Sequence, residues 1–264
     1  MDLKVLYEDN HIIAVEKPAG VLSQGDKTGD RSLVDDVKDY LKQKYKKPGN
    51  VFLAPVHRLD RPVSGIVLYA KTSKGAGRLS EQFREREIQK TYHAVVVGKM
   101  QKPAGEIVNF IKKVSYSSQA FIDGQSFGQV AGTPKEMAKP KKAELTYKVV
   151  RTNGTYSLLE LKPKTGRFHQ IRIQLASLGH PIVGDGKYAA PSIVRQFRKD
   201  WTDRKSIALC ATSLSFTTAT LRQGLRLSSA ERPQGKPLQQ AQGKPVDNTV
   251  NISIPIPEDW KKLF

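Results

Sequence analysis

Cysteine is almost missing from this sequence: Cys210 is the single one in 264 residues. No internal disulfide can form and no thiolate metal site can be assembled, which fits the cytoplasm as the working compartment. No apolar run approaches the roughly 18 residues that span a bilayer. The N-terminus, MDLKVLYEDN, carries charge throughout and lacks the apolar stretch of about 7–15 residues of a secretory signal. His11, His57, His93, His169 and His180 include no short-spaced ligand pair, so no metal is expected. GDKTGD (25–30) is not a phosphate-binding loop, and VLSQGD (21–26) is not a nucleophile elbow. These absences leave acid–base chemistry without metal or nucleotide cofactor.

What is abundant is positive charge. Lysine and arginine number 44 against 25 aspartates and glutamates, a formal net charge of +19. Such a field attracts polyanions and speeds encounter with them. Nucleic acid is the favoured partner, because phosphate neutralisation supplies most non-specific affinity. A membrane surface is disfavoured, since no basic amphipathic helix with aromatic anchors is present. Apolar residues make up 38% of the chain, enough for a globular core.

The pattern along the chain predicts an α+β fold with a largely antiparallel sheet, not βαβ repeats. A short strand and a turn at Lys17–Gly20 occupy residues 6–23. Ser32 is a good N-cap for a helix over 32–45, with Leu33, Val34, Val37 and Leu41 at helical spacing. Residues 77–90 read as a charged helix, and 166–180 as an amphipathic one with Phe168, Ile171, Leu175 and Leu178 on one stripe. Strands are expected at 51–57, 65–71 and 91–99, in a hairpin through Thr152-Asn153-Gly154, and at 251–260. A basic loop covers 132–142. Residues 222–248, rich in Gln, Gly, Pro and charge, read as a mobile insertion whose Arg222, Arg226, Arg232, Lys236 and Lys244 add affinity for phosphates. One domain, 1–264, is expected.

The segment HRLDRPVSG (57–65) places Asp60 between Arg58 and Arg61, just ahead of an apolar strand. A surface ion pair is the plainer reading of an aspartate among arginines. Two features argue instead for an activated acid: apolar strands on both sides imply partial burial, and Ser64-Gly65 predicts a tight turn that holds the loop.

Further pieces lie elsewhere. HRLDRPVSG closely resembles the signature of the RluA-type pseudouridine synthases, roughly H-R-L-D-R-x-T-S-G. EKPAGVLS (16–23) resembles their K-P-x-G motif, and REREIQKTYHAVVVG (84–98) the segment carrying their active-site tyrosine. LKPKTGRFHQIRIQLASLGHPIVGDGKYA (161–189) is similar to their G-R-x-H-Q-I-R motif with its L-G-H-P-I-x-G-D-x-x-Y tail. The four motifs occur in the family's order and cover most of residues 5–190.

The resemblance implies the pseudouridine synthase fold with a central catalytic cleft. It also implies isomerisation of specific uridines in rRNA or tRNA to pseudouridine, without cofactor or metal, by a monomer. By position, Asp60 is the catalytic carboxylate, Tyr92 the tyrosine that packs on the base and helps move a proton, and Arg172 the basic partner of Asp60. Arg58 fills the space of the flipped nucleotide; Arg61, Arg167 and His169 complete the implied RNA contacts. The chemistry suits these residue types. A carboxylate can cleave a glycosidic bond as nucleophile, or by taking a proton from the sugar as the base departs. A guanidinium partner favours a carboxylate's charged form. A target base must first leave its stack, and a flat cation such as Arg58 can take its place.

The sequence departs from the family pattern at Val63 (usually Thr), Gln174 (commonly His) and Cys210 (often His), none of them a proposed catalytic position. No room for an accessory RNA-binding domain precedes Leu3, so a minimal catalytic form is expected. The alternative function is a non-catalytic RNA-binding or assembly protein on the same fold. Loss of Asp60, Tyr92 or Arg172 would favour it, and all three are present.

Overall fold

In a computed structural model, residues 2–113, 120–122, 139–218 and 248–264 are described. Among them, eleven strands form one mixed sheet with four α-helices. The basic loop before residue 139 and the 222–248 insertion, except Asn248, lie outside the described residues. No helix among those described is long and apolar enough to cross a membrane.

Strands β1 (Val5–Glu8) and β2 (Ile12–Lys17) form a hairpin. Asp9 closes it: its Oδ1 accepts the backbone N–H groups of His11 and Ile12, both at 2.7 Å. Next to β2 lies β4 (Ser64–Ala70), extended at its far end by the two-residue β3 (Ala54–Pro55). A second antiparallel array runs β5 (Gln89–Val97), β9 (Tyr156–Pro163), β8 (Lys141–Thr152), β6 (Ala104–Lys113) and β7 (Ala120–Ile122). Strand β10 (Leu209–Thr217) joins the arrays, parallel to β4 and antiparallel to β5, and also pairs with β11 (Thr249–Ser253). The parallel seam is short, Cys210 opposite Ser64 and Ala211 opposite Gly65.

Helix α1 (Leu33–Lys44) covers one face of the first array. Ser32 caps it, its N–H donating to Asp35 Oδ2 at 2.8 Å. Leu33, Val37 and Leu41 are buried against Ile13, Val15, Val67 and Tyr69, at about 1.5–3 kcal/mol each. Helix α2 (Ser73–Arg84) covers the opposite face through Leu79. It begins and ends earlier than the charge pattern of 77–90 predicts. Thr72 Oγ1 accepts the Gly75 N–H at 3.1 Å, and Arg86 at φ 60° breaks the chain away. Gln89 and Lys90 then pair with β10, so sheet formation overrides their helix propensity.

Helix α3 is also shorter than expected, Gln170–Ser177 rather than 166–180. Gln170 Oε1 accepts from Thr165 Oγ1 at 2.7 Å and from the Arg167 N–H at 2.9 Å, which holds 165–169 as a loop. Nor is the helix amphipathic: every residue from Gln170 to Ala176 is buried, polar ones included. The last strand ends at Ser253, and a 3-10 turn at Glu258–Leu263 buries Trp260 and Leu263. Strands β6, β7 and β10 and helix α4 (Pro191–Phe197) have no counterpart in the sequence-based expectations.

Ser64-Gly65 is not the tight turn expected; it opens β4. The reversal occurs earlier, where the Val63 N–H donates to the Asp60 carbonyl at 3.0 Å.

Candidate active site

Asp60 sits in the loop ahead of β4, its side chain 26% exposed. The loop's backbone is stitched to residues 17–23 on both sides of Asp60. Ser23 Oγ donates to the Leu59 carbonyl (2.8 Å) and accepts the Leu59 N–H (3.0 Å). The Gly20 N–H and Lys17 Nζ both donate to the Arg61 carbonyl, at 2.8 and 3.1 Å. The K-P-x-G segment thus fixes the residue before and the residue after the carboxylate.

Lys17 is fully buried at the end of β2, its ammonium also donating to the carbonyls of Pro18 (3.0 Å) and Val21 (2.8 Å). Burial pushes its pKa down to about 7, while the charge of Asp60 acts in the opposite sense. Lys17→Met removes three hydrogen bonds inside the loop. It is expected to cost about 2–4 kcal/mol of stability in urea unfolding; a loss below about 0.5 kcal/mol would refute the bracing role.

Another brace comes from His57, whose Nε2 accepts the Leu68 N–H of β4 at 2.9 Å. Burial, and then Lys90, push its pKa down to about 3, so the ring stays a neutral acceptor.

Three elements converge on Asp60. Arg172, buried on α3, donates from Nη1 to Asp60 Oδ2 at 3.2 Å. Its stronger partner is Asp185, in the turn after Ile182: Nε to Oδ2 at 2.7 Å and Nη2 to Oδ1 at 2.9 Å. Burial alone would lower the arginine's pKa; Asp185 and then Asp60 reverse that, and it is raised. His169 Nε2 lies 3.5 Å from the same Asp60 Oδ2. Among the described residues, Asp60 Oδ1 has no hydrogen-bond partner.

Tyr92, on β5, has a partly exposed ring. Burial, then the negative charge of Asp60, raise its pKa, so its hydroxyl stays a proton donor beside the carboxylate. Lys187 adds a third cation, its pKa lowered by burial and then by Arg172.

Of the other sequence-predicted residues, Arg58 is exposed. The exposed Arg61 is tied by Nε to the Gly20 carbonyl (3.0 Å) and by Nη1 to Asp30 (2.8 Å). Arg167 Nε donates to the Lys142 carbonyl at 2.9 Å. His169 points inward, only 7% exposed. Asp185, Lys17 and Ser23 were not singled out by sequence reasoning, although all three stand inside the quoted motifs. The departing residues are structural. Gln174 Nε2 bonds the carbonyls of Ile107 and Ala143 (both 3.2 Å) and Asn109 Oδ1 (3.0 Å), tying α3 to the sheet. Burial pushes the Cys210 thiol up to about 11.

A family model described as RNA pseudouridylate synthase matches residues 11–177. The tRNA pseudouridine synthase C of Vibrio parahaemolyticus is 35% identical over 82% of this chain and 85% of its own. The ribosomal large subunit pseudouridine synthase D of Borreliella burgdorferi is 33% identical over 70% of this chain and 54% of its own. Among solved structures, human RNA pseudouridylate synthase domain containing 4 superposes with a TM-score of 0.69 at 21% identity, covering 98% of this chain and 92% of that one.

Proposed function

We infer, from the premise that the chain belongs to the RluA-type RNA pseudouridylate synthase family and isomerises uridine in RNA, that Asp60 is the catalytic carboxylate. The observation that carries this is the carboxylate's geometry: Oδ2 is held by Arg172 at 3.2 Å while Oδ1 is left without a partner among the described residues. A reacting oxygen needs that freedom, and its fixed neighbour supplies the orientation. The carboxylate attacks the sugar or takes a proton from it as the uracil leaves. The base then turns, and its C5 bonds C1′ where N1 was attached. Uracil N1 gains a proton and C5 loses one, so the reaction is an isomerisation without an oxidant.

Tyr92 packs on the base and, staying protonated, supplies a donor beside Asp60. Arg58, exposed two residues from Asp60, takes the gap left by the flipped nucleotide. Arg61 and Arg167 contact RNA at the rim. We assign tRNA as the substrate and rRNA as the second candidate, on the names of the relatives. The enzyme works as a monomer in the cytoplasm, without metal or cofactor. Mapping pseudouridines in tRNA and rRNA from cells with and without the gene tests this reading. One or more sites must vanish from tRNA, whereas loss from rRNA alone would transfer the assignment, and no loss in either would reject it.

Tyr92→Phe keeps the ring and removes the hydroxyl. RNA binding is expected within about twofold of wild type and turnover about 100-fold lower, the range of a positioned proton donor. Wild-type turnover in a purified variant would remove Tyr92 from the chemistry.

A further inference from the structure

Asp60 faces two basic side chains, and one buried tyrosine touches both of them. Tyr188, buried in the turn after Asp185, places its hydroxyl 2.6 Å from His169 Nδ1. Its ring lies under Arg172, whose guanidinium carbon is 5.3 Å from the ring centre. Phe168 stacks on the imidazole at 3.9 Å and 17°. The backbone contributes as well: His169 has φ 51°, a conformation few side chains adopt, and this turns its ring inward from the start of α3.

Hydrogen-bond polarity then decides the imidazole's protonation pattern. Its Nε2 faces a carboxylate oxygen at 3.5 Å, so Nε2 carries the hydrogen. In a neutral ring Nδ1 is therefore an acceptor, and the Tyr188 hydroxyl must donate to it. Resting on the reading of Asp60 as the catalytic carboxylate, we propose that Tyr188 is a positioning residue. Its hydroxyl, donating to Nδ1, holds the His169 imidazole with Nε2–H turned toward Asp60, so that His169 and Arg172 together face Oδ2 of Asp60 and leave Oδ1 to the substrate.

Among the described residues, the charged and titratable groups around the imidazole and the Asp60 carboxylate include Asp60 from the loop ahead of β4, Arg172 from α3, Tyr92 from β5, and Asp185, Lys187 and Tyr188 from the turn after Ile182. Tyr188→Phe deletes only the hydroxyl. The neutral imidazole has then lost the donor that holds its Nδ1. A protonated imidazole needs no such donor, because it carries hydrogen on both nitrogens and is drawn to Asp60 by charge. The variant's defect is therefore expected to grow as pH rises through the ordinary histidine range, near pH 6.5. Relative to wild type, kcat should be about tenfold lower at pH 8.5 and within about threefold at pH 6, with KM for RNA unchanged. A residue that merely supports the fold would give the same ratio at both pH values.

An independent readout comes from 15N-histidine NMR, with the His169 signals assigned by their loss in His169→Asn, a residue that tolerates the left-handed backbone. The expected spectrum at pH 8 is the Nε2–H tautomer in wild type, with that hydrogen facing Asp60. A flat pH ratio for Tyr188→Phe, or an Nδ1–H tautomer in wild type, would overturn the proposal. Failure of the underlying reading is separately visible: Asp60→Asn would then still form pseudouridine, while the NMR result would still decide the tautomer.

Discussion

Asp60→Asn is expected to abolish pseudouridine formation, by at least about 10⁴-fold, with RNA affinity and stability close to wild type. Asparagine has the shape of aspartate but neither its charge nor its capacity as a nucleophile or base. The part of this prediction that depends on the structure is survival of the fold. Removing one partner of a buried ion pair commonly costs about 3–5 kcal/mol, because a charge is left uncompensated. Here Arg172 keeps two hydrogen bonds to the buried Asp185, and its contact with Asp60 is the longest of the three. The arginine therefore remains neutralised, and a stability change under about 1 kcal/mol is expected. Single-turnover assays on purified protein measure the first claim, and thermal melts the second. Clear turnover would end the assignment of Asp60; a melt collapsing alongside the activity would show that Arg172 depends on Asp60 more than on Asp185.

The second large effect lies five residues away. Gly65→Ala is expected to lower stability by about 3–4 kcal/mol, or roughly 10 °C in melting temperature. A β-carbon at position 65 would lie 2.4 Å from both the backbone nitrogen and the carbonyl oxygen of Ala211. Neither is the end of a flexible side chain, so β4 and β10 must separate. Gly65 also has φ 122°, outside the range comfortable for alanine. Because the seam between these strands has only two residue pairs, losing this approach removes half of it. The Asp60 loop enters β4 at this point, so activity should fall further than stability alone dictates. Wild-type thermal stability in this variant would mean the seam can relax at little cost.

Much of the site was legible in the sequence because its motifs are local: Asp60 stands in its loop, Tyr92 on its strand and Arg172 on its helix, as their neighbours imply. The less legible parts depend on partners far apart in the chain. Asp185 looks like a turn residue, and nothing within reach of its own neighbours reveals that Arg172 will find it. Lys17 reads as a solvated lysine beside Pro18 until the Asp60 loop folds over it. Helix α3 was expected to have a polar outer face; instead its Gln170, Arg172 and Gln174 are buried, and their nitrogens donate to β6, β8, Asp60 and Asp185. Binary patterning reads polarity as exposure, and fails where polar groups meet inside. Strand β10 escaped notice for a related reason. LCATSLSFT is small and hydroxyl-rich, without clean alternation, because it is packed between two arrays.

The position of β10 also has a temporal meaning. Among the described residues, the strands ahead of it comprise two arrays that share no ladder with each other, one carrying the Asp60 loop and the other Tyr92. Residue 217 is synthesised 54 residues after β9 ends at Pro163, a delay of roughly 3–11 s at ordinary elongation rates. During that interval a nascent chain on the ribosome holds both halves of the proposed site with no strand to align them. The chain emerges among RNA, its own messenger and the ribosome included, yet the two halves can be aligned only once β10 has been made.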